Sequence, residues 1–212
     1  MWRKDNGEVA SNSPARTKFA IAAMVLIVAY VLVDVVLQSL PPHYSVVSDA
    51  ESDLAVGPFS WIMSVNFAAR GIMSVLLVAA LWRAGETSTR RRVGLVLVVI
   101  AGVCSAALVF FPTDVNGAGQ FGMTQHTPIG MTHLAFATAG FLTVLAGMTL
   151  VTATRPQAVL LAVALLGLVS LVLCLVFLPQ AVGLAERLCL AGILGWAFVT
   201  AREVVSRALQ LA

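Results

Sequence analysis

The chain has 212 residues, of which 59% are hydrophobic and 11% charged, with a formal net charge of +3. A soluble domain carries about 45–50% apolar and about 25% charged residues, so this composition excludes a water-soluble globule and describes an integral membrane protein. The basic residues sit in short strips beside apolar segments and form no continuous face, which argues against nucleic acid as a partner and for anionic lipid headgroups as counter-charge.

In chain order, residues 1–17 are polar, with Arg3, Lys4, Asp5 and Glu8 among Ser, Asn and Gly, and are expected to form a flexible tail. Phe19 to Leu40 is the first apolar span, too long for a signal-peptide core and followed by no small-residue cleavage site. Asp34 falls roughly 9 Å from its far end. Pro41 and Pro42 stop this span, and the next loop carries Asp49, Glu51 and Asp53. The second span runs from Trp61 to Trp82, about 31 Å of helix with Arg70 near its middle. Arg83, Arg90, Arg91 and Arg92 then precede a third span, Val93 to Phe111. Pro112 closes it within the motif FPTD, and a long connection containing GAGQFG leads to Pro128. A fourth span runs from there to about Ala153, a fifth from Ala158 to Leu178 and a sixth from about Leu184 to Arg202, leaving residues 204–212 as a second tail. The expected fold is all-α, a polytopic bundle of six transmembrane helices in residues 18–203.

Charge sets the expected orientation. The first tail has four basic residues, the second loop four, the fourth loop one and the C-terminal end two, whereas the opposite side has only Arg187. By the positive-inside rule both termini are cytoplasmic, in a cell membrane. Seven prolines mark the ends of spans and none interrupts one, unlike the broken helices of many secondary transporters. Gly102 with Ala106, and Ala191 with Gly195, are four apart and suit close helix contacts.

A guanidinium at the depth of Arg70 needs a partner or water, since an unpaired charge there costs several kcal/mol, about 3 or more. Asn66, four residues earlier, shares its face. His133 is in the first turn of the fourth span, Glu186 and Arg187 open the sixth, and Asp34 lies at a depth between these and Arg70. These residues suggest one polar cavity, deepest at Arg70 and open to the outer side; the alternative is that Arg70 pairs with Asp34 and bonds Asn66 only to fix packing. Cys104, Cys174 and Cys189 lie in apolar segments without metal or disulfide spacing and read as small buried hydrophobes. His43, His126 and His133 share a side with Asp114, but Pro128 separates the last two histidines and spoils a metal-binding helix face, so neither metal nor cofactor is expected.

Six spans, an acidic first outer loop, Asn66 in the second span, FPTD ending the third, His133 opening the fourth and GLAERL in the last together resemble a bacterial membrane family catalogued as domain of unknown function 998. The resemblance covers nearly the whole chain from the first span onward and singles out Asn66, Asp114, His133 and Arg187. It implies no activity. The expected function is therefore a lipid- or small-ligand-binding bundle, with membrane lipids and a small anionic or lipid-like ligand as partners and Arg70 as the anchor for an anionic group. The alternatives are an outer-leaflet enzyme using His133 and Asp114 as base and orienting carboxylate, or a small transporter.

Overall fold

A computed structural model describes residues 14–41, 44–82, 88–117 and 120–210. Most of the expected N-terminal tail, His43, Arg83 and part of the Gly-rich connection lie outside the described residues. Those described form six long helices and no strand: α1 Pro14–Leu37, α2 Ser60–Leu81, α3 Thr89–Ala107, α4 Pro128–Val151, α5 Arg155–Phe177 and α6 Val182–Gln210. Short 3-10 turns cover Glu51–Ala55 and Pro179–Ala181.

Local chemistry sets these limits. Pro14, Pro128 and Pro156 stand in the first turns of α1, α4 and α5, where the missing N–H costs nothing. Ser88 and Thr127 cap α3 and α4 by accepting hydrogen bonds from the amides of Arg91 and Gly130. The Gln157 side chain reaches back to the amides of Ala153 and Thr154 at the start of α5. Two helices run further than the sequence suggests. α1 starts inside the segment expected as tail, and Arg16 donates from Nε to the carbonyl of Ala80 at the end of α2. α6 continues to Gln210, with Glu203 and Arg207 paired one turn apart at 4.0 Å.

Five of the helices are long and apolar enough to cross a bilayer. The exception, α3, spends its first turn on Arg90, Arg91 and Arg92, and its 19 residues leave too short an apolar window. Those arginines close helix ends: Arg90 donates to the carbonyl of Thr149 in α4 and Arg91 to that of Leu81 in α2. Cations at C-terminal carbonyls satisfy both the orphan acceptors and the helix dipole.

Helices pack as consecutive neighbours, α1 on α2, α2 on α3, α3 on α4 and α5 on α6, with α6 returning to α1. Glycines make three of these contacts. Gly71 faces the carbonyl of Gly102 and Ala106, Gly94 faces Gly147, and Gly167 and Gly192 lie against the backbones of Cys189 and Ala164. Gly102 and Ala106 thus form the contact their spacing predicts. Ala191 does not, being exposed, although Gly195 packs on Leu160. The pair left out of this close packing is α4 and α5, which touch little although the turn joining them is short.

Candidate functional site

The connection between α1 and α2 does not stay at the bundle's edge. Its 3-10 turn folds inward, burying Ala50, Glu51, Leu54 and Ala55. The sequence explains part of this, because Ala50 and Leu54 put an apolar edge on an otherwise acidic loop. The tertiary part comes from α6. Arg187 donates to the carbonyls of Val46 and Asp49, meets the Tyr44 hydroxyl, and stacks on the Tyr44 ring at 5.5 Å. Burial pushes the Tyr44 hydroxyl well above its usual pKa, so it stays protonated beside the guanidinium. Gly183 brings α6 against the same carbonyl of Asp49, where a Cβ would stand 2.3 Å away.

Pinned in this way, the turn delivers Glu51 to Arg70. The guanidinium lies 3.5 Å from the Glu51 carboxylate, and Glu51 is only 4% exposed. Arg70 also donates from Nε to Ser105 of α3 at 2.7 Å and from Nη1 to the Tyr30 hydroxyl of α1 at 3.1 Å. The Tyr30 hydroxyl in turn donates to Glu51 at 2.6 Å, and Ser105 donates to the carbonyl of Phe67. The rings of Tyr30 and Phe67 lie 5.6 and 5.3 Å from the guanidinium carbon. A charge removed from water is tolerable only with this degree of pairing. Glu186, at the start of α6, is buried beside Glu51 and accepts its backbone amide at 2.7 Å.

The pairing corrects the expectation for Arg70. Its partner is Glu51 and not Asp34, which is bonded to Gln38 on its own helix and has one carboxylate oxygen buried without a partner among the described residues. Asn66 does not bond Arg70 either; it donates to the carbonyl of Tyr30 and ties α2 to α1. Both residues share the face the sequence predicts, but Arg70 reaches past Asn66 to the folded-in loop.

Below this cluster is a cavity of about 450 Å³, within the range of pockets that hold small molecules, roughly 300–1,000 Å³. Glu51, Arg70, Ser105, His133 and Glu186 line its polar end. Side chains such as Met73, Val98, Phe141, Leu168 and Ile193 make the rest apolar. The Arg70 side chain keeps 17% of its surface accessible and forms part of this lining. Where α4 and α5 stand apart, Leu142 on one and Val172 on the other line the cavity while remaining 56% and 54% exposed on the bundle's surface. The cavity therefore reaches the outward surface between these two helices.

Of the other expected site residues, His133 lines the cavity and is 2% exposed, with Nδ1 2.6 Å from the carbonyl of Phe111. Asp114 is not its partner. That carboxylate accepts from the amides of His126 and Thr127 and from the Thr127 hydroxyl, and these bonds hold it below the ordinary carboxylate pKa. It organises the start of α4, packed so closely that a Cβ on Gly130 would lie 2.5 Å from Asp114 Oδ2. No hydrogen bond thus joins the base and the orienting carboxylate of the enzyme alternative. Among the described residues no group of three His, Cys, Asp or Glu side chains is placed to hold a metal. Arg187 clamps the loop and does not line the cavity.

Three contributors were not singled out from the sequence: Glu51, Tyr30 and Ser105. Tyr30 carried a signal, as a phenol with a hydroxyl in need of a partner inside an otherwise aliphatic span. Glu51 carried little, since an acidic residue in a loop is usually solvated.

The profile of the family described as "Protein of unknown function (DUF998)" matches residues 21–203. The chain belongs to this family. The matched region of this DUF998 protein takes in every residue of the polar cluster, from Tyr30 to Glu186, as well as both edges of the gap between α4 and α5. No curated protein and no solved structure matches the chain.

Proposed function

We propose that this protein binds a lipid or similar amphiphile, which enters from the bilayer between α4 and α5 and places its polar group against the cluster of Glu51, Arg70, His133 and Glu186. The carrying observation is a cavity with one polar end and apolar walls that reaches the lipid-exposed surface at Leu142 and Val172. A water-borne metabolite would gain nothing from such walls, whereas an acyl chain gains about 25 cal/mol for each Å² it buries.

In this reading all six helices cross the membrane. The apolar part of α3 lies between α2 and α4, and its arginines stand at the headgroup level, where they can snorkel. The end bearing Arg16, Arg90, Arg91, Arg155 and Arg202 is cytoplasmic, so both termini are cytoplasmic and the polar end of the cavity belongs to the outer half of the membrane. The cell membrane of a bacterium is the proposed location.

Native mass spectrometry tests the binding. Protein purified in mild detergent is expected to carry a retained amphiphile, and a variant with the cavity filled, Ala101→Phe with Ala137→Phe, is expected to lose it while keeping its helical circular dichroism. Equal retention by the folded variant would remove the cavity as the binding site.

A further inference from the structure

The cavity's polar end contains a cation, and the sequence alone makes that cation an anchor for an anion. The bonding pattern indicates otherwise. Arg70 already meets Glu51, Tyr30 and Ser105. Glu186 adds a second carboxyl group to the same cluster. An incoming phosphate or carboxylate would find the guanidinium already engaged at Nε and Nη1 and two acidic side chains beside it, at a depth where charges are poorly screened.

What this end offers instead is a free acceptor. A carbonyl oxygen can only accept, so the contact with Phe111 requires the proton of His133 to be on Nδ1. In the neutral ring Nε2 then carries a lone pair. A second proton there would create another buried cation near the first, since the Phe67 ring lies 5.3 Å from the Arg70 guanidinium carbon and 6.4 Å from the His133 ring. Nε2 is buried and has no hydrogen-bond partner among the described residues, on a side chain that lines the cavity. Buried polar atoms are nearly always satisfied, so an unpartnered acceptor on a pocket-lining side chain calls for a donor that the cavity can supply.

We infer that the group received at this end is a hydrogen-bond donor, an alcohol or an ammonium on an apolar chain, accepted by His133 Nε2 and the neighbouring carboxylates, and not an anion. The inference rests on the amphiphile-binding reading above and narrows it to a class of headgroup.

Four amphiphiles sharing one chain separate the possibilities: oleyl alcohol, oleylamine, oleyl methyl ether and oleyl sulfate, each titrated against the full-length protein in detergent and followed by native mass spectrometry. The alcohol and the amine are expected to bind roughly tenfold more tightly than the ether, which has the same shape and no donor, and the sulfate is expected to bind weakest. Equal binding of alcohol and ether, or preference for the sulfate, would overturn the inference while leaving amphiphile binding intact. Failure of all four to bind would overturn the binding reading and the inference with it. In His133→Phe the advantage of alcohol over ether should collapse; its persistence would show that His133 is not the acceptor. The comparison of ligands on the unmodified protein stands even if that variant does not fold.

Discussion

The two sides of α5 are built in opposite ways. Towards α6 it is sealed: Gly167 and Gly192 let the two backbones touch, so closely that a Cβ on Gly167 would lie 2.2 Å from the amide nitrogen of Cys189. Towards α4 it is open, and Val172 both lines the cavity and faces outward. Loose packing in general would not produce this contrast. The glycines hold α5 to α6 as one unit and α3 to α4 as another, which concentrates the open surface at a single place. A membrane bundle has little hydrophobic drive to close such a gap, because lipid chains solvate the exposed leucines and valines as well as protein does.

The contrast can be broken from its sealed side. Gly167→Leu should cost about 3 kcal/mol or more, because backbone and not a flexible side chain would have to move, and should appear as loss of folded protein in detergent. Val172→Phe, on the opposite face of the same helix, should stay within about 0.5 kcal/mol of the native chain in thermal unfolding. Similar losses from both substitutions would mean that α5 is packed on both sides.

The polar end can be broken next. Glu51→Leu leaves Arg70 without its carboxylate and is expected to destabilise by about 3 kcal/mol, somewhat less if water in the cavity reaches the guanidinium. Adding Arg70→Met should recover much of that loss, giving a coupling energy well above about 1 kcal/mol in a double-mutant cycle. Additive effects would show that the two side chains do not interact.

The smallest expected effect concerns how the loop is held in place. Burial first, and the neighbouring Asp49 second, push the carboxyl of Asp53 from 3.8 up to about 7. A raised carboxylate pKa means that the folded state holds the proton more tightly, so the contribution of Asp53 to stability is greatest below about pH 4 and falls as pH rises towards 7. Asp53→Asn should therefore match the native chain in acid and exceed it by about 1–2 kcal/mol at pH 8, after discounting for partial exposure. Melting curves across that range check it, and parallel curves for the two proteins would contradict the burial of Asp53.

Much of the architecture was legible because bilayer helices announce themselves. Apolar runs of sufficient length, prolines at their limits and Arg70 inside one of them were enough to expect an all-α membrane protein with a buried polar cluster. The members of that cluster were only half legible. Arg70, His133 and Glu186 stand on helices whose depth can be counted along the chain, and all three line one cavity, whereas Asn66, counted the same way, bonds the backbone of Tyr30 instead. Glu51 is on a loop whose inward course depends on Arg187 gripping two backbone carbonyls about 140 residues away in sequence, and no local pattern encodes that. Asp34 misled for the related reason that depth along a helix says nothing of rotation about it. Nor could the gap between α4 and α5 be read, since a short turn between two apolar helices ordinarily means close neighbours.

The central claim is that lipid enters between α4 and α5. Photocrosslinking in a bilayer with an oleyl alcohol probe that carries a diazirine on its chain tests it most directly. The account expects adducts on cavity-lining residues such as Phe141 and Leu168, together with Leu142 and Val172 at the opening. Labelling confined to outward faces, such as Val25 and Leu32 of α1, with none inside the cavity, would contradict it.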